Sequence, residues 1–253
     1  MNIAVITGAS SGLGIEYLKI LSKKCVGIDE IWIIARREER LNAIAERIGF
    51  RIKILPLPLD LTKDESYSLL KERYIANECN VRILINCSGR GTLENFAEGD
   101  YKDEAVTCDL NVKGLTCVTS VTVPFMKKGA VIINVSSIAS FVPTPRMSVY
   151  CGTKSYVTAF SRALREELKQ KEINVLAVCP GPMNTEFLDV AKINGNSHTF
   201  DILPRTIPYK IAENSIIAAY RGKSVYTDDF FYKFYRCVAK VVPHSILMNF
   251  TKC

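Results

Sequence analysis

Tyr150 and Lys154 stand four residues apart in the segment YCGTK, at the start of a long helical pattern. Residues at this spacing on a helix lie on one face, one turn apart. A free tyrosine has a pKa of ~10, and a neighbouring ammonium group favours its ionised form. The pair could therefore serve as an acid–base catalyst near neutral pH. The alternative is an aromatic residue and a charge that merely share a helix face.

A glycine-rich segment, TGASSGLG at residues 7–14, separates an apolar strand pattern from a helical pattern. Glycine permits tight turns and lets a phosphate approach the backbone, and the N-terminus of the following helix offers free N–H groups. In a doubly wound sheet, dinucleotides bind at this turn. We therefore predict a pyrophosphate site formed by Gly8, Ser10, Ser11, Gly12, Leu13 and Gly14.

Two arginines, Arg36 and Arg37, follow the second predicted strand. An acidic residue near this position favours NAD, whereas a guanidinium group binds phosphate through two parallel hydrogen bonds. The arginines therefore predict a preference for NADP(H). The alternative is a solvated basic start to a helix that also carries Glu38 and Glu39.

The elements that must position these residues alternate along the chain. Short β-branched runs predict strands at residues 3–7, 31–35, 52–57, 83–86, 131–136 and 174–179. Amphipathic patterns predict helices at residues 13–24, 38–48, 64–77, 104–127 and 148–171. Such alternation predicts a parallel sheet with helices on both faces. The predicted fold class is α/β, a single Rossmann-like, doubly wound domain of about seven strands that spans residues 1–253.

The composition is that of an ordinary globular protein. Of 253 residues, 48% are hydrophobic and 23% are charged, and the formal net charge is +7. No apolar run reaches the roughly 18 residues of a transmembrane helix, and the N-terminus does not resemble a signal peptide. The nine cysteines show no C-x-x-C spacing and the chain has two histidines, so neither disulfides nor a metal site are expected. We expect a cytoplasmic protein.

Further motifs occur in the order and at the spacings of a known family. Between residue 3 and about residue 185, the chain resembles the short-chain dehydrogenases/reductases. The additional motifs are Asp60-Leu61, Asn86-Cys87-Ser88-Gly89, Asn111-Val112-Lys113-Gly114, Ser136-Ser137 and Pro180-Gly181, followed by Met183 and Thr185. Cys87 departs from the pattern, because the family usually has a second asparagine there.

The resemblance implies a role for each of these residues. Tyr150 would exchange a proton with the substrate oxygen, and Ser137 would hydrogen-bond that oxygen. Lys154 would lower the pKa of Tyr150 and bind the nicotinamide ribose, and Asn111 would hold a water that links Lys154 to solvent. NADP(H) would carry the hydride. The remaining motif residues would line the cofactor: Asp60, Leu61, Asn86, Cys87, Ser88, Gly89, Pro180, Gly181, Met183 and Thr185.

The segment after the predicted catalytic serine indicates the kind of substrate. It is largely apolar, with a single charge at Arg146 among Ile138, Phe141, Val142, Pro143 and Met147. A partly aromatic, apolar pocket favours a lipophilic ketone or alcohol, steroid-like or fatty-acyl. The residues expected to contact this substrate are Ser137, Phe141, Met147 and Tyr150.

Two other functions remain open at this point. One is a 3-oxoacyl-thioester reductase whose basic C-terminal segment contacts an acidic carrier, and the other is a non-catalytic NADPH-binding sensor or scaffold. Residues 186–215 are predicted as a substrate lid, without a motif that indicates which substrate. By the family resemblance, the helices at 104–127 and 148–171 would pair in a homodimer or tetramer. No nucleic-acid partner is expected.

The C-terminal extension, residues 228–253, contains a predicted amphipathic helix from about Asp229 to Val242. Asp229 can cap its start, and Pro243 ends it. On a helical wheel the apolar residues form one broad arc, and the basic residues lie on the opposite side. The apolar residues are Phe230, Phe231, Phe234, Tyr235, Val238, Val241 and Val242, and the basic ones are Lys233, Arg236 and Lys240. We expect the helix to dock on its own domain, or on a dimer partner, over the substrate mouth. Contact with an anionic membrane surface is the alternative.

Overall fold

The computed structural model describes residues 1–24, 26–49, 51–193, 197 and 202–251. Its strands are β1 Asn2–Thr7, β2 Glu30–Ala35, β3 Lys53–Pro58, β4 Asn80–Asn86, β5 Val131–Val135, β6 Asn174–Val178 and β7 Val225–Tyr226. They form one sheet in the order β3-β2-β1-β4-β5-β6-β7, and every pairing in it is parallel. The predicted fold class is therefore confirmed.

Helices connect the strands and cover both faces of the sheet. They are α1 Gly12–Lys24, α2 Glu38–Ile48, α3 Asp64–Ala76, α4 Tyr101–Cys108, α5 Leu115–Thr122, α6 Ser148–Glu167, α7 Glu186–Val190, α8 Pro208–Tyr220, α9 Phe230–Val241 and α10 His244–Leu247. The helix predicted at residues 104–127 is interrupted, because a π-helical turn at Asp109–Gly114 separates α4 from α5. Such turns are rare and frequently lie at functional sites.

Both faces of the sheet are buried, as expected for parallel strands. Neighbouring strand residues point to opposite faces. On β1, Ile6 packs in a cluster with α1 and α8, whereas Val5 packs in a cluster with α3 and α5. On the second face, the fully buried Trp32 stacks on Tyr74 of α3, with ring centroids 5.5 Å apart. Because each strand contributes side chains to the core on both faces of the sheet, the strand sequences are almost continuously apolar.

The predicted lid at residues 186–215 is only partly described, since residues 194–196 and 198–201 lie outside the described residues. It begins with the short helix α7. Its last part belongs to α8, whose Ile211 and Ala212 are fully buried beside α1. This last part is therefore core rather than lid, because its apolar side chains cover the sheet.

A buried polar network joins β4 and β5 to α6. The Asn86 side-chain amide donates to Thr119 Oγ1 at 2.9 Å and to Asn134 Oδ1 at 2.8 Å. The Asn134 amide donates in turn to Ser161 Oγ of α6 at 2.9 Å. All four residues are buried, so each lost partner would leave a polar group without water. The network holds α6 in a defined position against the sheet.

Replacement of Asn134 by alanine is expected to lower the free energy of unfolding by about 1–3 kcal/mol, because it removes two buried hydrogen bonds, one from the Asn86 amide and one to the Ser161 hydroxyl oxygen. Urea unfolding of the two proteins measures the difference. The matched control is Asn95→Ala, since Asn95 is exposed and its side-chain amide donates to the exposed Glu98. The control should cost less than about 0.5 kcal/mol, and an equal loss in both variants would contradict the role of the network.

Candidate active site

A cavity of about 740 Å³ lies at the carboxyl ends of the parallel strands. Its walls follow β1, β4 and β5, near the point where the strand order reverses. In open α/β sheets this is where ligands bind. The predicted site residues that line it are Gly8, Ser10, Ser11, Gly12, Leu13, Arg36, Arg37, Asp60, Leu61, Cys87, Ser88, Gly89, Ser137, Met147, Tyr150, Lys154, Pro180, Gly181, Met183 and Thr185.

Four predicted residues do not line the cavity and have other roles in the structure. Asn86 belongs to the buried network between the strands. Gly14 lies in the first helical turn, where a Cβ would come 2.2 Å from the Gly8 carbonyl oxygen. Phe141 packs against Tyr235 of α9, with ring centroids 6.2 Å apart. The fourth, Asn111, is buried and bonds to the backbone of Arg90 in the loop after β4.

Tyr150 and Lys154 lie together on the buried face of α6, as their spacing predicts. The Lys154 ammonium is 5.7 Å from the centroid of the Tyr150 ring and donates to the Val135 carbonyl at 2.9 Å. Phe187 of α7 packs against the Tyr150 ring, with centroids 5.5 Å apart. The loop after β4 crosses the ring at Gly91, where a Cβ would come 2.6 Å from it. The tyrosine is thus enclosed except on the side that faces the cavity.

Burial shifts the pKa values of Tyr150 and Lys154 in opposite directions. It raises the pKa of Tyr150 above its usual value, and an interaction with the Ser137 side chain opposes this rise. It lowers the pKa of Lys154 to about 8. The direction for Tyr150 is opposite to the one predicted from the sequence, because the loss of water around a phenolate outweighs the opposing interaction with Ser137. In this site the phenol remains protonated at neutral pH.

The two serines at the end of β5 have different functions in the structure. Ser136 is buried, and its hydroxyl donates to the Lys154 carbonyl of α6 at 2.8 Å. Ser137 lines the cavity, accepts a hydrogen bond from the Ala139 N–H at 3.1 Å, and interacts with Tyr150. Ser136 therefore positions α6, whereas Ser137 is placed to contact a substrate oxygen.

Asn111 lies in the π-helical turn and fastens the loop after β4. Its Oδ1 accepts from the Arg90 N–H at 2.9 Å, and its amide donates to the Arg90 carbonyl at 2.8 Å and to Thr153 Oγ1 at 3.0 Å. These bonds use both amide hydrogens and one lone pair of Oδ1. Gly89 lies beside it, where a Cβ would come 3.2 Å from Asn111 Oδ1 and 3.3 Å from Lys154 Nζ. The water relay stays a prediction.

The glycine-rich turn fits a pyrophosphate. Gly8 has φ +69°, and a Cβ there would come 2.7 Å from the Ser88 nitrogen, so the turn and the end of β4 are in close backbone contact. The Thr7 hydroxyl reinforces this contact by accepting from the Cys87 and Ser88 N–H groups at 3.1 and 3.2 Å. The result is a narrow cradle that is bounded by backbone and by the start of α1.

Arg37 has a partner that the sequence analysis did not identify. Its guanidinium donates to both oxygens of Glu186 at 2.9 and 3.0 Å and to Ser10 Oγ at 3.3 Å. Arg40 donates to the same carboxylate at 3.1 Å. The bonds from Arg37, and then those from Arg40, lower the pKa of Glu186 to about 2. Because Glu186 is 149 residues from Arg37 in the chain, no local pattern could have indicated the pair.

The C-terminal extension forms the apolar end of the cavity. Tyr232 of α9 is fully buried, its ring lies against Gly181, and its hydroxyl donates to the Pro204 carbonyl at 2.6 Å. The helix therefore docks on its own domain over the cavity, as the sequence analysis expects in preference to contact with a membrane. The docked face is centred on Tyr232, which the predicted apolar arc omits. Residues 252–253 lie outside the described residues.

The described part of the chain contains neither a membrane-spanning helix nor a metal cluster. No helix there is both long enough and apolar enough to cross a bilayer. Among the same residues, no cluster of histidine, cysteine, aspartate or glutamate side chains could hold a metal ion.

Comparisons with known proteins agree with this geometry. A family model for short chain dehydrogenases matches residues 2–194. An NADP-dependent 3-hydroxy acid dehydrogenase of Schizosaccharomyces pombe is 31% identical over 238 residues, which cover 89% of each chain. The 17-beta-hydroxysteroid dehydrogenase type 3 of Homo sapiens is 32% identical over 208 residues, 78% of this chain and 64% of that protein.

A solved structure shares the fold. A short-chain dehydrogenase from Sphingobium yanoikuyae, in complex with NADPH, superimposes with a TM-score of 0.80 and covers 96% of this chain and 97% of that one. At 23% sequence identity, the likeness supports the fold alone.

The lowered pKa of Lys154 predicts a pH-dependent cost to stability. The pKa of Lys154 is about 8 in the folded protein and 10.5 in the unfolded chain. Below about pH 8 the buried charge therefore destabilises the fold by its full amount, and this destabilisation disappears as the pH rises through 10.5. Lys154→Met should therefore gain stability over the native protein at pH 7, and this gain should shrink by about 2–3 kcal/mol by about pH 10.

Urea unfolding at both pH values measures this change. The control is Lys127→Met, because Lys127 is exposed and its replacement should show the same small effect at both pH values. A difference between Lys154→Met and the native protein that is independent of pH would show that Lys154 is not destabilised by burial.

Proposed function

The chain belongs to the short-chain dehydrogenase family, and on that premise we propose that it interconverts a ketone and a secondary alcohol on a lipophilic substrate with NADP(H). The observation that carries the proposal is the position of Tyr150, Lys154 and Ser137. These three residues lie where a dinucleotide cradle and an apolar pocket meet in one cavity. A hydride carrier and a lipophilic carbonyl could thus meet beside a phenol that transfers protons.

The bound nicotinamide would supply or accept the hydride. In the reductive direction, the Tyr150 hydroxyl donates its proton to the substrate oxygen. Ser137 donates a hydrogen bond to the same oxygen as negative charge develops there. Lys154, held by the Val135 carbonyl, would bind the nicotinamide ribose and stabilise the phenolate that the proton transfer leaves behind.

The preference for NADP(H) is supported by the basic end of the cavity. Arg36 and Arg37 line it beside Ser10, and Arg37 presents its guanidinium in a two-bond arrangement that a phosphate can use as well as a carboxylate can. The fission-yeast relative is named as NADP-dependent. Glu186 occupies the Arg37 fork in this structure, so a 2′-phosphate would have to share or displace it.

The lipophilic substrate is supported by the opposite end of the cavity. Its walls there are mainly aliphatic and aromatic, and most come from elements after β6: Leu188, Val190, Leu203, Phe231, Tyr235, Leu247 and Phe250, with Met147 from the loop before α6. An apolar pocket with a few polar groups at one end orients a hydrophobic carbonyl compound. A steroid is the substrate class named for the human relative.

A 3-oxoacyl-thioester reductase is the second candidate. The observation that favours it is the S. pombe relative, whose name places the hydroxyl at the 3-position of an acid. Lys233 and Lys240 of α9 would then provide the basic surface for an acidic carrier. A non-catalytic sensor or scaffold is less well supported, because Ser137, Tyr150 and Lys154 all line the cavity.

A homodimer or tetramer through α4, α5 and α6 also belongs to the proposal. On α6, Tyr156 is partly exposed and stacks on Phe160, with ring centroids 5.7 Å apart. The Tyr156 hydroxyl is 2.8 Å from Thr116 Oγ1 of α5, so the two helices form one continuous surface. Exposed aromatic residues of this kind are enriched at protein interfaces.

Tyr150→Phe is expected to lower turnover by about 10²–10⁴-fold, because the phenylalanine ring fills the same space but cannot transfer a proton. The assay follows NADPH oxidation with ketosteroids, 3-oxoacyl thioesters and small aldehydes. NADPH binding, measured by fluorescence, should be retained. Tyr156→Phe is the matched control on the outer side of the same helix and should keep its activity. Undiminished turnover in Tyr150→Phe would refute the mechanism, and tight NADPH binding without turnover in the native protein would favour a sensor.

Arg37→Ala is expected to weaken NADPH binding about 10–100-fold while NADH binding changes little, because one charged hydrogen-bonding partner of the 2′-phosphate is lost. Glu186→Gln should instead strengthen NADPH binding several-fold, since it removes the carboxylate that competes for Arg37. Calorimetry with both nucleotides measures the constants. Glu39→Gln removes the same charge from the adjacent helix start without an Arg37 contact in the structure, and should change neither. Weaker NADPH binding in Glu186→Gln would mean that Glu186 orients Arg37 rather than competes for it.

A further inference from the structure

Helix α9 has a second apolar face that points away from the protein. Phe230, Phe234 and Val241 are 81%, 61% and 84% exposed. At about 100° per residue, these three lie within an arc of about 40°, on the opposite side of the helix from the buried Tyr232. Docking on the domain therefore covers only half of the apolar surface of α9. We call the exposed part, together with Ile246 and Phe250, the outer apolar face.

The outer apolar face adjoins the mouth of the cavity. Phe250 is 78% exposed and also lines the cavity. Phe231 of α9 and Leu247 of α10 also line the cavity. The apolar surface thus continues from the outside of α9 and α10 into the apolar end of the pocket. Contiguous exposed apolar surface of this kind marks a binding site for a protein or a membrane.

The charges around this face distinguish between possible occupants. Residues 230–253 contain Lys/Arg at positions 233, 236, 240 and 252 and no Asp or Glu. The two acids just before them are engaged, since Asp228 accepts from the Tyr226 hydroxyl and Asp229 accepts from the Phe231 N–H at the start of α9. A second copy would bring the same cations together without an acid from this segment to offset them. An anionic surface complements them.

We propose that the outer apolar face docks on the anionic surface of a lipid bilayer, with the mouth of the cavity facing the lipid. Phe230, Phe234 and Val241 would enter the boundary between headgroups and acyl chains, and Lys233 and Lys240 at the side of the stripe would contact headgroup phosphates. A lipophilic substrate could then pass from the bilayer into the pocket without crossing water. Only this last step rests on the proposed function.

Co-sedimentation with vesicles tests the docking. The native protein should sediment with vesicles of phosphatidylcholine and phosphatidylglycerol, and much less with phosphatidylcholine alone or at high salt. The double variant Phe230→Ser/Phe234→Ser should lower the partition coefficient by at least about tenfold. The double variant Lys233→Gln/Lys240→Gln should lose the preference for anionic vesicles. Phe96→Ser is the matched control, because Phe96 is 67% exposed in the loop before α4, and it should sediment like the native protein.

Several results would overturn the proposal. The first is that the native protein stays in solution when anionic vesicles are sedimented. The second is that Phe96→Ser loses as much vesicle binding as Phe230→Ser/Phe234→Ser. A third is a native dimer in light scattering that becomes a monomer in Phe230→Ser/Phe234→Ser, since the face would then join two copies. Thermal unfolding of each variant verifies that it is folded.

The docking and the proposed activity can fail separately. Tyr150→Phe should bind vesicles like the native protein, because its change lies inside the cavity. Turnover of a small soluble ketone in the absence of vesicles should be the same in Phe230→Ser/Phe234→Ser as in the native protein. A native protein that turns over the ketone but does not bind anionic vesicles would therefore refute the docking alone. A native protein that binds vesicles but turns over no substrate would refute the activity alone.

Discussion

The position of helix α6 against the sheet is the constraint on which the site depends. Polar groups make this contact specific, because apolar packing alone would let the helix slide or rotate. Ser161 accepts a hydrogen bond from the buried Asn134 of β5, Ser136 donates to the backbone of α6, and Lys154 donates to the end of β5. Each bond lies in a buried region, where an unmade partner is costly. The face of α6 that carries Tyr150 is thereby turned to the cavity.

The same enclosure sets the electrostatics of the site, at a cost to stability. Burial holds Tyr150 in its protonated form and disfavours the charge on Lys154. A surface helix with the same two residues would have neither effect. The folded protein thus retains a destabilised lysine in a place where an apolar residue would pack at lower cost, as is common where chemistry requires a perturbed group.

The two ends of the cavity are closed by segments that follow β6. At the basic end, Glu186 of α7 bridges to Arg37 and Arg40 of the β2–α2 region. The next residue, Phe187, packs on the Tyr150 ring, so the residue that pairs with Arg37 and the residue that covers Tyr150 belong to one short helix. At the apolar end, α9 and α10 supply the wall and leave an apolar face outside. The sheet and α6 thus form one wall of the cavity, and these later segments form the other.

The sequence by itself determined the fold class, the order of strands and helices up to β6, and the motifs from which 20 of the residues around the cavity were predicted. These features depend on local periodicity and on motifs whose spacing is set by single turns, as for Gly8 and for the Tyr150–Lys154 pair. Only the tertiary structure decided which residues face the cavity. It placed Asn86 in a strand-bridging network, paired Arg37 with a distant Glu186, and centred the docked face of α9 on Tyr232. It also reversed the expected pKa shift of Tyr150. These outcomes depend on contacts between residues far apart in the chain and on the loss of water around them, and neither is encoded in the spacing of neighbouring residues.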